Sequence, residues 1–454
     1  MAFLVGGANS AADTGYDIEN SLRFNDGDSP FLSFTPASAG NRRTWTFSCW
    51  IKLGTLGINR IIFAGGVVAS TYLRIFDTDV VGFGVSGDAN YAVGPILRDP
   101  SAWYHLVYKV DTTAGSNRMI IFVNGETVYS GTPSSWDLNH DGHVNQDELH
   151  SVGKETDGTS ADRFFDGYMA EVFFIDGTAH DASDFGETDS DSGIWKPKDC
   201  KDDLTFGTNG FYLEFKQTGT SADSSGKGAD TSGEDNHYDD NGMTAEDQCT
   251  DTPTNNFATL NPLMNSSQAS YSEGNLDEAC NDNYGVGGSI AVANGKWYWE
   301  VKIKAGDNNL VGIANGDEVW RFPVTFAMGN YSLVVYGVNG VIYREGSVVE
   351  DVDDPYGAND IVGVAVDMDS GTRTVQFYKN GSAFGSAATL PTNWGFTLPM
   401  IRKGGSSQTS SFNFGNPAFS ISSGNADANG YGNFEYEVPS GFYALCTKNL
   451  AEYG

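Results

Sequence analysis

Apolar residues in this chain recur mostly at every second position or in short runs, and helical periodicity is almost absent. A period of two is the spacing that places side chains on one face of a strand. In the first half the pattern predicts strands over 21–24, 31–34, 44–52, 60–64, 72–76, 103–111, 119–123, 169–175 and 211–215. Many short strands joined by tight turns such as Asn124-Gly125 predict an all-β sandwich or barrel.

The second half repeats this alternation without repeating the sequence of the first. Strands are predicted near 257–260 and over 296–303, 310–313, 331–336, 341–343, 361–367, 374–379, 397–401 and 411–414. On one of them Trp297 and Trp299 share a face and Tyr298 lies opposite, so both tryptophans are predicted to be core residues. We therefore predict two unlike β-sandwich (jelly-roll) domains, over residues 1–218 and 252–454.

The stretch between the two predicted domains differs in composition. Residues 221–251 hold nine acidic residues and one lysine among several glycines and serines. Such a composition lacks the apolar surface needed for a core. We predict that residues 219–251 form a solvated acidic connector or long loop.

Charge and cysteine content narrow the classes of partner and compartment. The 454 residues carry 59 Asp+Glu and 26 Lys+Arg, and this net charge of −33 argues against nucleic acid and anionic membranes as partners. No apolar run is long enough to span a membrane, and the opening Met1–Gly7 has no cationic start, so no secretory signal is predicted. The cysteines are predicted to be buried thiols in a reducing cytoplasm, with a Cys249–Cys280 bridge left open.

One stretch has the pattern of a metal site. Residues 137–148 match a twelve-residue EF-hand calcium loop, with Gly142 at the sixth position, where the chain must turn sharply. The predicted ligands are Asp137, Asn139, Asp141, the backbone carbonyl of His143, Asn145 and Glu148. Hard oxygen ligands at this spacing suit Ca²⁺ better than Zn²⁺ or Mg²⁺. Since long helices do not flank the loop, we predict a lone structural calcium site between two strands.

Two other interpretations of this stretch stay open. Asp, Asn and Gly also dominate ordinary polar turns. His140, His143 and His150 lie close together in sequence and offer a zinc alternative.

Several motifs of the first half give it a family resemblance. They are 45–51 (WTFSCWI), 103–107 (WYHLV), 120–125 (IIFVNG) and 165–172 (FDGYMAEV). With these motifs the region 20–215 resembles the concanavalin A-like jelly rolls of the laminin-G and pentraxin type. The resemblance implies a fold and says little about the ligand.

The second half carries a stronger resemblance. Its motifs are 295–301 (GKWYWEV), 311–314 (VGIA), 360–367 (DIVGVAVD), 375–381 (VQFYKNG) and 412–415 (FNFG). They resemble the SPRY (B30.2-like) sandwich, a recognition module without catalytic machinery. The resemblance implies that loops at one end of the sandwich bind partners, although the sequence identifies no ligand-binding residue.

The tandem arrangement extends the resemblance to nearly the whole chain. Together with the opening 1–8 (MAFLVGGA) and the close 444–450 (ALCTKNL), it resembles tail-fibre and lectin-like virion proteins of marine bacteriophages. The resemblance implies a virion-surface protein made in the host cytoplasm. Its expected partners are other virion proteins and host-surface glycan. Since fibre proteins favour trimers, a homo-oligomer, specifically a trimer, is also expected.

An enzyme is not expected. Glucanases of the concanavalin A-like fold need two carboxylates facing a cleft. Residues 171–176 place one acid at each end of a predicted strand with the wrong alternation, and no other catalytic motif occurs. A fibre component that binds host glycan is the leading hypothesis, a capsid-surface decoration protein is the alternative, and a polysaccharide-degrading enzyme is the second alternative.

Overall fold

The chain is built almost entirely of antiparallel β-sheet, as the alternation predicts. The computed structural model describes residues 4–5, 15–67, 70–85, 89–156, 163–264, 269–280, 285–316, 331–404 and 408–454. Two compact units divide the chain: the first unit spans 12–254, and the second unit spans 255–454 together with residues 1–11. None of the helices in these described ranges is both long enough and apolar enough to cross a membrane.

Strand β1 (Leu4–Val5) belongs to the second unit, and the next strands belong to the first. These are β2 (Ser21–Phe24), β3 (Phe31–Phe34), β4 (Thr44–Leu53), β5 (Arg60–Gly65), β6 (Thr71–Ile75), β7 (Val80–Val85), β8 (Asn90–Ile96), β9 (Trp103–Asp111), β10 (Met119–Val123), β11 (Glu126–Gly131), β12 (His150–Val152), β13 (Gly167–Asp176), β14 (Gly186–Thr188), β15 (Trp195–Pro197), β16 (Phe211–Leu213), β17 (Asp239–Asn241) and β18 (Gln248–Cys249). Short 3-10 turns cover Asp26–Asp28, Ala182–Asp184, Lys201–Asp203 and Ala245–Asp247.

Two large sheets enclose the core of the first unit. One has the order β11-β10-β9-β4-β13-β2-β18, with β16 also pairing with β13, and the other has the order β17-β3-β12-β5-β6-β7-β8. Aromatic rings join them: Phe47 of β4 stacks on Phe63 of β5 at 4.7 Å, and Phe63 contacts Phe174 of β13 at 5.7 Å. Nearly every residue of β4 and β13 is buried, because further residues also cover the outer face of their sheet.

The acidic stretch 219–251 is not a solvated connector, and the first domain does not end at residue 218. It belongs to the first unit, which runs to Thr254. Its strand β17 pairs with β3, and its strand β18 pairs with β2. Partners satisfy its buried acids: Asp240 pairs with Lys227 at 3.1 Å, and both side chains are 2% exposed. The prediction from composition was wrong because composition counts the acidic residues but does not show the cations and strands with which they pair.

The second unit continues from residue 255. Its strands are β19 (Ala269–Ser272), β20 (Asp277–Cys280), β21 (Gly285–Gly287), β22 (Ile290–Ala291), β23 (Lys296–Ala305), β24 (Asn309–Asn315), β25 (Ser332–Tyr336), β26 (Val341–Arg344), β27 (Ser347–Asp351), β28 (Ile361–Asp367), β29 (Thr374–Lys379), β30 (Ser382–Thr389), β31 (Thr397–Lys403), β32 (Gln408–Asn413) and β33 (Tyr443–Ala444). A 3-10 turn covers Pro262–Met264, and the helix α1 (Thr447–Tyr453) ends the chain. The predicted strand near 257–260 makes only isolated bridges.

This unit is a second sandwich. Its larger sheet has the order β19-β20-β32-β23-β28-β29-β30, with β33 also pairing with β23, and its smaller sheet has the order β21-β31-β24-β25-β26-β27. Trp297 and Trp299 lie in the core cluster between the sheets, and Tyr298 lies in a separate cluster on the opposite face. The alternation within β23 therefore predicted the packing of all three side chains correctly.

The cysteines are consistent with the predicted buried thiols wherever their side chains are described. Cys49, Cys200 and Cys446 are buried and free. The buried Cys249 thiol donates to the carbonyl oxygen of Asp247 at 3.4 Å. The side chain of Cys280 lies outside the described residues, so the alternative bridge between Cys249 and Cys280 stays a prediction.

Candidate functional site

The predicted calcium loop, residues 137–148, connects β11 of one sheet with β12 of the other. Three of its predicted ligand side chains, Asp141, Asn145 and Glu148, contact protein groups. The exposed Asp141 forms a two-pronged ion pair with Arg43, with Nε–Oδ1 at 2.7 Å and Nη2–Oδ2 at 3.1 Å. Asp137 and Asn139 are also exposed, and His143 is half-buried.

The last two predicted ligands are turned toward other partners. Asn145 is buried, and its amide nitrogen donates to Asp176 at 2.6 Å while its amide oxygen accepts from Asn209 at 2.8 Å. One oxygen of Glu148 accepts the backbone N–H of Val67 at 2.8 Å. Calcium takes six to eight oxygen ligands at about 2.3–2.6 Å. In the structure Asp141, Asn145 and Glu148 contact protein groups instead, and calcium binding stays a prediction.

Two of the three histidines of the zinc alternative, His150 and His140, contact protein groups. Both ring nitrogens of the buried His150 are occupied, since one accepts from the N–H of Asn145 at 2.8 Å and the other meets the carbonyl of Glu148 at 2.8 Å. His140 stacks on Trp136. Across the described residues, no group of three or more His, Cys, Asp or Glu side chains is arranged to hold a metal.

The strongest candidate site of the first unit lies where its larger sheet is interrupted. Strand β13 pairs along one edge with β2 through residues 167–169 and with β16 through residues 172–174. Glu171 falls between the two partner strands, at a register shift that marks a β-bulge against β4. Its φ of 51° is left-handed and unusual for a residue with a side chain. Bulges re-aim side chains and are frequent beside functional sites.

The bulge explains why regular alternation predicts the wrong face for Glu171. Regular alternation would turn Glu171 to the same face as Met169 and place Val172 opposite. Met169 and Val172 instead both lie in the inner core. The extra residue of the bulge therefore leaves Glu171 free to face outward. A glutamate inside an otherwise apolar strand was the signal that could have indicated this position.

Two tyrosine hydroxyls meet the Glu171 carboxylate. Tyr16 donates to Oε2 at 3.0 Å, Tyr212 donates to Oε1, and the two hydroxyls lie 3.3 Å apart. Glu171 is 5% exposed. Burial raises the pKa of Glu171 from 4.5 to about 7, the hydrogen bonds from Tyr212 and Tyr16 act to lower it, and Glu214 adds to the rise. This carboxyl group therefore changes its protonation near neutral pH.

A small cleft opens at this network. Its volume is about 170 Å³, and it is lined by Tyr16, Asp17, Ile18, Glu19, Asn20, Glu171, Tyr212, Glu214 and Lys216. Drug-sized ligands occupy about 300–1,000 Å³, so this cleft accepts a smaller group. Four of the lining residues are acidic and one is basic. The single lysine, Lys216, lies 3.7 Å from Glu19, and both side chains are largely exposed.

An aromatic cluster adjoins the cleft on the outer face of the same sheet. Its buried members are Ile18, Trp50 and Ala170, and the half-buried Tyr16, Trp103 and Trp195 pack against them. Tyr16 and Ile18 also line the cleft, so the cluster and the cleft are continuous. Hydrogen bonds hold the two half-buried indoles, since Trp103 donates to Asp251 at 3.1 Å and Trp195 donates to His105 at 3.0 Å.

Two tyrosines near the loops of the second unit have well-defined contacts. Tyr356 is a core residue whose hydroxyl donates to the carbonyls of Asn309 and Val335. Tyr336 is half-buried, packs edge-on against Tyr343, and donates to Asn308 at 2.8 Å. These contacts lie within the second unit.

Comparison with family models agrees with this architecture. Residues 26–182 match the concanavalin A-like lectin/glucanases superfamily, and residues 296–417 match the SPRY domain. The chain therefore carries a concanavalin A-like domain followed by a SPRY domain. These are folds of binding and interaction modules, although the first superfamily also includes glucanases. No curated protein sequence matches the chain.

Three similar solved structures each cover half of the chain or less. A heptameric SAP-like pentraxin from Limulus polyphemus is 16% identical, with a TM-score of 0.30, over 36% of this chain and 79% of its own. The SPRY domain of human HERC1 is 17% identical, with a TM-score of 0.26, over 34% of this chain and 96% of its own. A proposed carbohydrate-binding protein from Bacteroides ovatus is 21% identical, with a TM-score of 0.36, over 50% of this chain and 60% of its own.

Proposed function

We propose that this chain is a non-enzymatic surface component of a bacteriophage particle that binds host glycan through its concanavalin A-like domain. The observation that carries the proposal is the cleft at Glu171, which combines tyrosine hydroxyls, carboxylates and an adjoining aromatic cluster. Sugar sites need this combination, because a sugar ring presents hydroxyls at its edge and a less polar face to aromatic rings.

A binding role suits the Glu171 network better than a catalytic one. Each oxygen of the Glu171 carboxylate accepts a tyrosine hydroxyl, which holds the group in place within the protein. We therefore expect no release of reducing ends from host polysaccharide. Many copies of a weak site on one particle would provide avidity.

The virion location rests on the resemblance to marine bacteriophage proteins and on the charge of the chain. A net charge of −33 favours solubility, and salt screens the repulsion between copies at separations beyond about 3–10 Å, which makes assembly tolerable. Assembly as a homo-oligomer with other virion proteins, after synthesis in the host cytoplasm, belongs to the same proposal. The buried free thiols of Cys49, Cys200 and Cys446 suit a reducing compartment.

Immunogold electron microscopy on purified particles tests the location. An antibody raised against the recombinant chain should label fibre tips, and the same antibody should block adsorption to host cells. Label spread over the head, without loss of adsorption, would assign the chain to capsid decoration. Particles without label would overturn the virion assignment.

A further inference from the structure

The charge and the dimensions of the Glu171 cleft restrict what can enter it. With four acidic residues and one lysine in its lining, the cleft attracts a cation and repels an anion. Its volume of about 170 Å³ leaves room for a small group such as one sugar ring. Ligands that carry carboxylate, sulfate or phosphate groups would meet Glu19 and Glu214 without a compensating cluster of bases.

The acids around the cleft are placed at its mouth and at its base. Glu171 is buried at the base, where both of its oxygens are hydrogen-bonded. Glu214 is half-buried just after β16, and Glu19 is exposed just before β2. An ammonium group offers three donors, so it can engage several carboxylate oxygens at once. The base of the cleft and its mouth therefore suit a compact cation better than a neutral hydroxyl.

The aromatic cluster adds a requirement for the rest of the ligand. Tyr16 and Ile18 connect the cleft to the half-buried Trp103 and Trp195. Aromatic rings favour contact with a flat, weakly polar surface and attract a cation at their faces. A simple amine would use the acids alone, whereas an amine on a sugar ring would use both features.

We propose that the cleft between Tyr16–Asn20 and Glu214–Lys216 is a subsite for one amino sugar residue with a protonated amine. The inference rests on the proposed glycan-binding function and specifies its ligand class. The amine lies among Glu171, Glu19 and Glu214, and the ring extends toward Tyr16 and the aromatic cluster. Anionic sugars are excluded by charge, and N-acetylated sugars lose the ionic contact.

Three ligands that share a pyranose ring test the proposal on the full-length chain: glucosamine, N-acetylglucosamine and glucuronic acid, each displayed at equal density on a surface. We expect binding to the glucosamine surface to exceed binding to the N-acetylglucosamine surface by at least tenfold at low salt. Binding should weaken as salt rises, because the contact is ionic. No binding to the glucuronic acid surface is expected.

Two variants localise the site while leaving the Tyr16–Glu171–Tyr212 network intact. Glu214→Gln and Glu19→Gln should each reduce glucosamine binding severalfold. Glu126→Gln is the matched control, because Glu126 is exposed on the edge strand β11, at the far side of the sheet from β2. It removes the same charge and should leave binding unchanged.

Proton release supplies a readout that does not depend on affinity alone. An amine beside Glu171 favours its ionised form, so binding near pH 6, where the sugar amine is already protonated and Glu171 still holds its proton, should release a fraction of a proton, and Glu171→Gln should abolish the release. Calorimetry in two buffers of different ionisation enthalpy measures this quantity. Its absence in the wild type would overturn the placement of the amine.

The outcomes separate this inference from the proposed function. Equal binding to glucosamine and N-acetylglucosamine, or preference for glucuronic acid, would overturn the amino-sugar assignment and leave glycan binding standing. Binding that Glu214→Gln and Glu126→Gln affect equally would place the glycan site elsewhere. If the chain binds none of these surfaces and no glycan on a broad array, the proposed glycan-binding function is overturned as well.

Discussion

Lys52 Nζ lies 2.7 Å from Asp251 Oδ2, and their side chains are 0% and 1% exposed. The second oxygen of Asp251 accepts the indole N–H of Trp103 at 3.1 Å, and its backbone carbonyl accepts the hydroxyl of Ser21 at 2.6 Å. The acidic stretch 219–251 thus ends in a buried ion pair with β4. This relationship makes the stretch part of the first unit and supports one indole of the aromatic cluster.

Removing one partner of this pair should destabilise the first unit strongly. Lys52→Met leaves the Asp251 carboxylate buried without its cation, which typically costs about 3–5 kcal/mol. Denaturant unfolding measures the loss. Asp239→Asn, at an exposed position of the same stretch, is the control and should change the stability by less than about 0.5 kcal/mol. Equal effects of the two substitutions would contradict the structural role of the pair.

The second unit holds a comparable pair. Lys403 Nζ lies 2.6 Å from Glu278 Oε1, both side chains are fully buried, and Ser410 Oγ lies 2.5 Å from the same oxygen. We expect Lys403→Met to cost about 3–5 kcal/mol and the double variant Lys403→Met/Glu278→Leu to cost clearly less, because the double variant leaves no buried charge unpaired. Chemical denaturation of the single and double variants checks this. A double variant that loses the sum of both single effects would show that the two residues do not interact.

Protonation of Glu171 should make stability depend on pH. The folded pKa of about 7 is above the ordinary value of 4.5, so the folded state retains the proton over this interval while the unfolded state loses it. Stability is therefore fully present below about pH 4.5 and falls as pH rises toward 7. The corresponding free energy is roughly 3 kcal/mol.

The variant Glu171→Gln isolates this effect from other buried acids. Asp166 has a pKa raised by burial to about 6, and it contributes a change in the same direction. As pH rises from 4.5 to 7.5, the melting temperature of the wild type should fall relative to that of Glu171→Gln. Parallel curves for the two proteins would show that the Glu171 carboxyl keeps an ordinary pKa.

Calcium binding by residues 137–148 requires Asp141 to exchange Arg43 for the cation. If the loop binds calcium, Arg43→Ala should increase the calcium-dependent rise in melting temperature, because the cation no longer competes with the guanidinium. The double variant Asp141→Ala/Glu148→Ala should abolish the rise. At a hundredfold excess over the dissociation constant, bound calcium contributes about 2.7 kcal/mol.

Melting of wild type and Arg43→Ala, each with calcium and with a chelator, checks this prediction. Glu126→Gln, which removes an exposed carboxylate that is not among the predicted ligands, serves as the control for nonspecific charge effects. Unchanged melting temperatures in both proteins would mean that residues 137–148 act as a hydrogen-bonded loop held by Arg43, Asp176 and Asn209.

Local patterns predicted much of the fold because they report interactions between near neighbours. The alternation of Trp297, Tyr298 and Trp299 identified which residues enter the core, since a regular strand turns successive side chains to opposite faces. The same rule failed at Glu171, where one extra residue in the bulge changes the direction of the side chain. A bulge depends on the neighbouring strands, which the local pattern does not contain.

The sequence by itself determined the all-β class, the two unlike sandwiches and most of their central strands, because strand periodicity and turn residues are local properties. Only the tertiary structure decided where the acidic residues go. Asp251 pairs with Lys52, which lies 199 positions earlier in the chain, and Glu171 accepts a hydrogen bond from Tyr16, which lies 155 positions earlier. Buried charges depend on such distant partners, so composition alone misjudged the stretch 219–251 and missed the cleft at Glu171.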